Sequence, residues 1–267
     1  MSEGFDPDVV AKFERDTWSR CADDYVDTFA GLTGETVQLL SEAARIQPGS
    51  QVLEIGSGPG HVADLLVQAG AIVTGVDFSP KMVEVAQSKY PEITFRQADA
   101  EQLPFEAGSF DSVVANFVVH HLARPEIVFS EVNRVLKPGG RFAFAVWGAP
   151  EEQSSINAFF GAVMAHYNLE ELPHGPLFGV TERSVFEPLL TQAALEDCQL
   201  SIHDVTWKAD SLGPILKGFW DWGNIAALPA ETQTKIEETT RENAQPYEQD
   251  GRYAFPHSIL FGSALKV

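Results

Sequence analysis

The sequence is short of cations, short of cysteine and free of long uncharged apolar runs, and each shortage excludes a class of protein. Lysine and arginine number 18 against 38 aspartates and glutamates, a formal net charge of −20. A chain that grips nucleic acid needs Lys and Arg to displace counterions from phosphate, so a nucleic-acid substrate is not expected, and neither is an anionic membrane surface. The acidity reads as solubility. The two cysteines, Cys21 and Cys198, are far apart, and no CxxC motif or Cys/His cluster accompanies them. A zinc site or disulfide framework has no support, and no metal is expected. No apolar run has membrane-spanning length. The acidic opening Met1–Val10 lacks the basic-then-apolar pattern of a signal peptide. The expectation is a cytoplasmic enzyme without membrane insertion. Its oligomeric state is not readable.

What is present is an ordinary globular composition, 44% apolar and 21% charged over 267 residues. From Ser50 to Trp147, short β-rich runs alternate with helix-like stretches, the pattern of a parallel sheet covered by helices. Strands are expected at Gln51–Ile55, Ala71–Val76, Ile93–Gln97, Ser112–Phe117 and Gly140–Trp147, with helices at His61–Gln68, Pro80–Ser88 and Pro125–Leu136. Helices are also expected at Asp8–Ala30 and Glu35–Arg45, ahead of this core. After it the alternation fails. Helical stretches at Glu151–Tyr167 and Glu182–Ala194 flank a loop at Glu170–Val180, and strands at Cys198–Trp207 and Phe255–Lys266 flank a second interruption. The division expected is 1–48 as N-terminal helices forming a lid, 49–150 as the ligand-binding core, 151–181 and 209–252 as helical cap insertions, and 182–208 with 253–267 as the remainder of the core sheet.

The chemical signal lies at the end of the first strand. Val52–Ile55 runs directly into Gly56-Ser57-Gly58-Pro59-Gly60, where glycines let the backbone turn tightly and approach a ligand. Asp77 follows 21 residues after Gly56, at the end of the next strand, where a carboxylate can accept from both hydroxyls of a ribose. The dinucleotide fingerprint wants a sixth-position glycine, and here that position is His61. Pro59 also removes an N–H that a pyrophosphate would use. A nucleoside ligand without phosphate fits better.

Five ordered motifs carry a resemblance: Glu54–Gly60, Gly75–Pro80, Ala98–Phe105, Phe110–Val114 and Arg134–Gly140. Together Ser50–Trp147 resembles the class I S-adenosylmethionine-dependent methyltransferases, in particular the branch containing the ubiquinone- and menaquinone-biosynthesis enzymes. The resemblance implies a Rossmann-like α/β fold, a mostly parallel sheet of seven strands whose last strand runs antiparallel between the fifth and sixth. It implies S-adenosylmethionine as cofactor, with Gly56, Ser57 and Gly58 under the methionine moiety. Asp77 would bind the ribose, with Phe78 beside it. Asp99 and the Ala100 backbone would meet the adenine edge, and Asn116 would close the site. Tyr25 belongs to a stretch that resembles the family's lid and contacts the methionine carboxylate or packs an aromatic face. Glu54 orients the glycine loop or meets the ligand's amino group, because a lone buried carboxylate is costly otherwise. Met82 packs on adenine or fills core.

Methyl transfer from a sulfonium needs alignment in a dry pocket, which alone contributes roughly 7–11 kcal/mol. A general base is needed only where the acceptor must lose a proton. His120 and His121 stand just past Asn116, where ligands sit in open α/β sheets, and histidine takes a proton near neutral pH. Only one of two adjacent residues faces a cleft comfortably, and His121 is preferred to His120. Otherwise the pair caps the short helix before Arg124–Pro125. Aromatics cluster in the insertions: Phe159, Phe160, Tyr167, Phe178, Phe219, Trp220 and Trp222. Such a stripe is usually core. The other reading is a wall for a small, apolar, ring-containing methyl acceptor. Competing functions are a nicotinamide-dependent oxidoreductase or epimerase, which lacks its sixth-position glycine and any Tyr-x-x-x-Lys pair, and a non-catalytic cofactor-binding protein.

Overall fold

The computed structural model describes residues 6–167 and 173–267. In chain order the elements are α1 (Pro7–Cys21), α2 (Ala30–Thr33), α3 (Val37–Ala43), β1 (Gln51–Ile55), α4 (His61–Gln68), β2 (Ile72–Asp77), α5 (Pro80–Lys89), β3 (Thr94–Gln97), β4 (Phe110–Asn116), α6 (Pro125–Val135), β5 (Leu136–Trp147), α7 (Ser154–His166), α8 (Arg183–Gln192), β6 (Leu195–Ala209), α9 (Gly213–Trp222), α10 (Ala230–Ala244), the two-residue β7 (Glu248–Gln249) and β8 (Arg252–Lys266). Their sheet order is β3-β2-β1-β4-β5-β8-β6, with β7 pairing beside β8. The first five strands pair in parallel, whereas β8 runs antiparallel to both β5 and β6. The reversed last strand sits where the sequence reading expects it.

Strand alternation divides the core into two layers. Val52, Val73, Val114, Ala143 and Ala145 join α3, α4, α7 and α9 on one face. Leu53, Ile55, Val76, Val113, Phe142 and Phe144 join α6 and α8 on the other. Helix starts are written locally. Asp6 caps α1 by accepting from Asp8 N at 2.9 Å, and Ser79 caps α5 by accepting from Met82 N at 3.3 Å. Each cap is followed by a first-turn proline, whose missing N–H costs nothing there.

Two segments differ from the sequence reading. The helix expected over Asp8–Ala30 ends at Cys21 and gives way to a short 3₁₀ turn at Tyr25–Asp27 before α2. The bend between them carries two ion pairs to different elements, Asp23 with Lys81 of α5 and Asp24 with Lys217 of α9. The late strands also start earlier than expected, at Leu195 and Arg252. Each extends the other as a long antiparallel ribbon, paired from Leu195↔Lys266 to Ala209↔Tyr253 with a shift of register between Glu196 and Gln199. Of the loop expected at Glu170–Val180, residues 170–172 lie outside the described residues. Among the described residues no helix is long and apolar enough to cross a membrane.

Candidate active site

A cavity of about 670 Å³ opens where the carboxyl ends of β1, β2, β4 and β5 face α1, α7 and α9. Every candidate residue from the sequence borders it: Tyr25, Glu54, Gly56, Ser57, Gly58, Asp77, Phe78, Met82, Asp99, Ala100, Asn116, His120 and His121.

At the glycine turn the backbone does what other residues cannot. Gly56, Gly58 and Gly60 all have positive φ, and a Cβ on Gly56 would stand 2.3 Å from Val118 Cγ2. Asp77 holds this loop: one carboxylate oxygen accepts from Gly58 N and the other from Ser79 N, both at 2.9 Å. Burial raises its pKa to about 6, against the pull of hydrogen bonds from Ser79, Gly58 and Phe78. Glu54, 1% exposed, is pushed well above the usual carboxylate range by burial and then by the negative Asp77 nearby. Its Oε2 has no hydrogen-bond partner among the described residues. An orphaned buried carboxylate oxygen at a cavity wall demands a donor. A cation placed beside these two buried acids would restore the ionised form that burial and their mutual repulsion disfavour, and a pyrophosphate would not.

Other candidates hold the protein together while bordering the cavity. Asn116 donates to Thr33 O at 2.9 Å and accepts from Thr36 Oγ1 at 2.9 Å, tying β4 to the N-terminal helices. Asp99 is exposed and accepts from Glu101 N at 2.9 Å, a turn-stabilising contact. Met82, buried, brings its sulfur beneath Gly58. Tyr25 packs its ring against Trp18, Phe29 and His61, and burial raises its phenol pKa.

Both histidines border the cavity, where the sequence reading expected one. They lie on a 3₁₀ turn, Val119–His121, and their ring centroids are 4.0 Å apart. His121 Nδ1 is 3.0 Å from Glu14 Oε1, and Trp18 Nε1 donates to Glu14 Oε2 at 3.0 Å. His120 is 3% exposed, and neither of its ring nitrogens has a partner among the described residues. Burial, and then His121, holds its pKa well below the usual imidazole value, so its ring is neutral at pH 7.

The sequence reading missed Glu14, Thr33 and His61. His61 Nε2 is 2.7 Å from Thr33 Oγ1, and burial lowers its pKa to about 4. Its signal was its place as sixth residue of the turn. For Glu14 the signal was an acid inside the buried stripe Val10-Glu14-Thr17-Cys21 of α1. The cap aromatics divide. Phe159 is buried core, stacked on Phe219 at 5.4 Å, while Phe160, Phe178, Phe219 and Trp222 border the cavity with Trp147 and Phe117. Tyr167 and Trp220 do not border it.

The sheet order, the reversed last strand and a ligand cavity at the carboxyl edge define a class I methyltransferase fold. Residues 53–144, about a third of the chain, match the family described as "Methyltransferase domain". The demethylmenaquinone methyltransferase of Renibacterium salmoninarum is 34% identical over 120 residues, covering 45% of this chain and 51% of its own length. The chain spans about half the length of the curated relatives it first matches. In solved structures, the YcgJ protein of Bacillus subtilis superposes with a TM-score of 0.59 and 24% identity, covering 87% of this chain and 98% of its own. Phosphoethanolamine N-methyltransferase 2 of Haemonchus contortus, in complex with S-adenosyl-L-methionine, gives 0.55 at 20% identity, covering 87% and 52%.

Proposed function

We propose that the protein transfers a methyl group from S-adenosylmethionine to a small, apolar, ring-containing metabolite at oxygen, nitrogen or carbon. The observation that carries this reading is the pair of buried acids at the glycine turn. Glu54 offers an unpartnered oxygen to an ammonium group, and Asp77 offers a carboxylate to ribose hydroxyls while fixing the loop. Gly56, Ser57 and Gly58 would underlie the methionine moiety, with Tyr25 over it. Phe78, Met82, Asp99 and the Ala100 backbone would receive the nucleoside, and Asn116 would close the site from β4. Bound S-adenosylmethionine supplies an electrophilic methyl on a sulfonium, whose sulfur departs as a neutral thioether.

The chain's own work is to orient the acceptor, exclude water and receive a proton. The described parts of the insertions at 151–181 and 209–252 would act as a cap, and those of residues 1–48 as a lid, over the core at 49–150. Trp147, Phe160, Phe178, Phe219 and Trp222 supply apolar walls that suit a ring and exclude solvent. His121 stands ready to take a proton from an acidic hydroxyl or amine, typically a gain of about 10²–10⁴-fold, whereas His120, whose burial disfavours its charged form, is the weaker candidate of the pair.

The test is thermal unfolding with added S-adenosylhomocysteine or NAD(H). S-Adenosylhomocysteine is expected to raise the midpoint in a concentration-dependent way, because it binds only the native state. Stabilisation by NAD(H) alone would favour an oxidoreductase and sink this reading. Labelled methyl transfer into a metabolite extract then separates an enzyme from a binding protein.

A further inference from the structure

We propose that Glu14 is a positioning residue for His121: it fixes the imidazole with its proton on Nδ1 and the Nε2 lone pair free for the acceptor. The inference rests on the methyltransferase reading for its purpose and on geometry alone for its content. Glu14 comes from α1 and His121 from the turn after β4, 107 residues apart, yet their side chains meet at 3.0 Å. Glu14 is 3% exposed, so its ionised form needs partners. It has two, one for each oxygen. Trp18 Nε1 is donor only and occupies Oε2, which leaves Oε1 for the ring. A carboxylate accepts and does not donate, so a neutral His121 must present Nδ1–H to it.

The other ring face is fixed as well. Trp18 stands edge-on to His121, with centroids 5.3 Å apart, and the His120 ring lies against it at 4.0 Å. The imidazole is therefore held between these two rings and Glu14, and the residue borders the cavity. In the proton transfer this serves, the acceptor's O–H or N–H bond breaks and its electron pair stays on the acceptor atom. The proton forms a bond to Nε2, and the resulting imidazolium charge is matched by Glu14. The base exists in this form only while α1 is packed on the core. Arg124 supports that packing by bridging Asp8 of α1 and Glu101 of the loop after β3, and Ser19 meets Ser79 at 2.8 Å.

The experiment needs no acceptor and no cofactor. Protein labelled with nitrogen isotope in histidine is examined by NMR at pH about 8.5, roughly two units above the ordinary imidazole pKa, so that rings are neutral. The His121 signals are assigned by their loss in His121→Asn. The expected result is a predominantly Nδ1–H ring in the native chain. In Glu14→Ala it should move to the Nε2–H form that an unconstrained imidazole prefers. A wild-type His121 that is mainly Nε2–H overturns the proposal, and so does a tautomer unchanged in Glu14→Ala. If Glu14→Ala does not fold, the wild-type spectrum decides alone. Failure of S-adenosylhomocysteine to stabilise the protein would strike the methyltransferase reading and leave this result standing, so the two are distinguishable.

Discussion

The two ends of the cavity are built on different principles. Around the glycine turn, polar side chains are spent on the protein itself: Asp77 grips Gly58 and Ser79, and Asn116 grips Thr33 and Thr36. These bonds make a rigid socket, in which Glu54 Oε2, Ser57 Oγ and His61 Nδ1 are buried without a partner among the described residues. At the cap end the walls are rings touching rings, Phe160 on Trp222 at 5.6 Å and Phe117 on Trp147 at 4.7 Å. There the unpartnered polar atoms are the His120 nitrogens. A socket held by directional bonds suits one invariant ligand, since a misplaced donor is expensive in a buried site. A chamber of aromatic walls sets volume and shape and tolerates exchange of partner. One end therefore reads as cofactor, the other as acceptor.

The sharpest way to break the comparison is through Phe159 and Phe160, adjacent in α7 but opposite in role. Phe159 is 1% exposed and packed against Phe160, Phe219 and Trp220. Phe159→Ala is expected to cost about 3–5 kcal/mol in denaturant unfolding. Phe160→Ala, which removes a half-buried ring from the cavity wall, should cost less than half of that and leave S-adenosylhomocysteine affinity intact. Equal costs for the pair would mean that the cap is undivided core and offers no acceptor wall.

Asp77→Asn probes the socket. Asparagine keeps one acceptor and turns its amide toward a backbone N–H, while the charge that would receive the ribose is lost. Hydrogen bonds to a charged group are worth roughly 1.5–3 kcal/mol, so S-adenosylhomocysteine should bind about 10–150-fold more weakly by calorimetry. An affinity within about threefold of wild type would remove Asp77 from the ligand.

The contrast also explains what could be read beforehand. The socket lies within 54–116, where strand, turn and carboxylate recur at fixed spacing because each strand end must hand the chain to the next helix. Spacing of that kind is local, and the glycine turn and Asp77 were legible from it, while the reversed last strand was implied only by the family resemblance. Glu14 was not, because its partner lies 107 residues away and only tertiary packing joins them. For the same reason the sequence could not divide Phe159 from Phe160. A helical stripe shows which side faces inward, but not whether inward means core or cavity. Nor did it foresee the end of α1 at Cys21, after which Asp23 and Asp24 pair with Lys81 and Lys217 of distant elements.

The smallest expected effect is a matter of pH, and it separates the two ends most cleanly. Burial raises the pKa of Asp77 in the folded chain to about 6 from its ordinary 3.8. Between these values the native state holds a proton that the unfolded chain has released. Stability of the ligand-free protein therefore falls as pH rises through this window, by at most about 3 kcal/mol from this group. Ligand affinity runs the other way. Ribose hydroxyls donate to the ionised carboxylate, so below pH 6 binding must first expel a proton, and affinity should drop about tenfold for each further unit. Glu54, raised by burial and by Asp77, pushes in the same direction when it meets an ammonium group. Calorimetric titration of S-adenosylhomocysteine at pH about 5 and about 8 reads both groups together, and Glu54→Gln isolates Asp77. Affinity that stays level across that range would show that neither buried acid meets the ligand, and the socket would lose its claim to be the cofactor end.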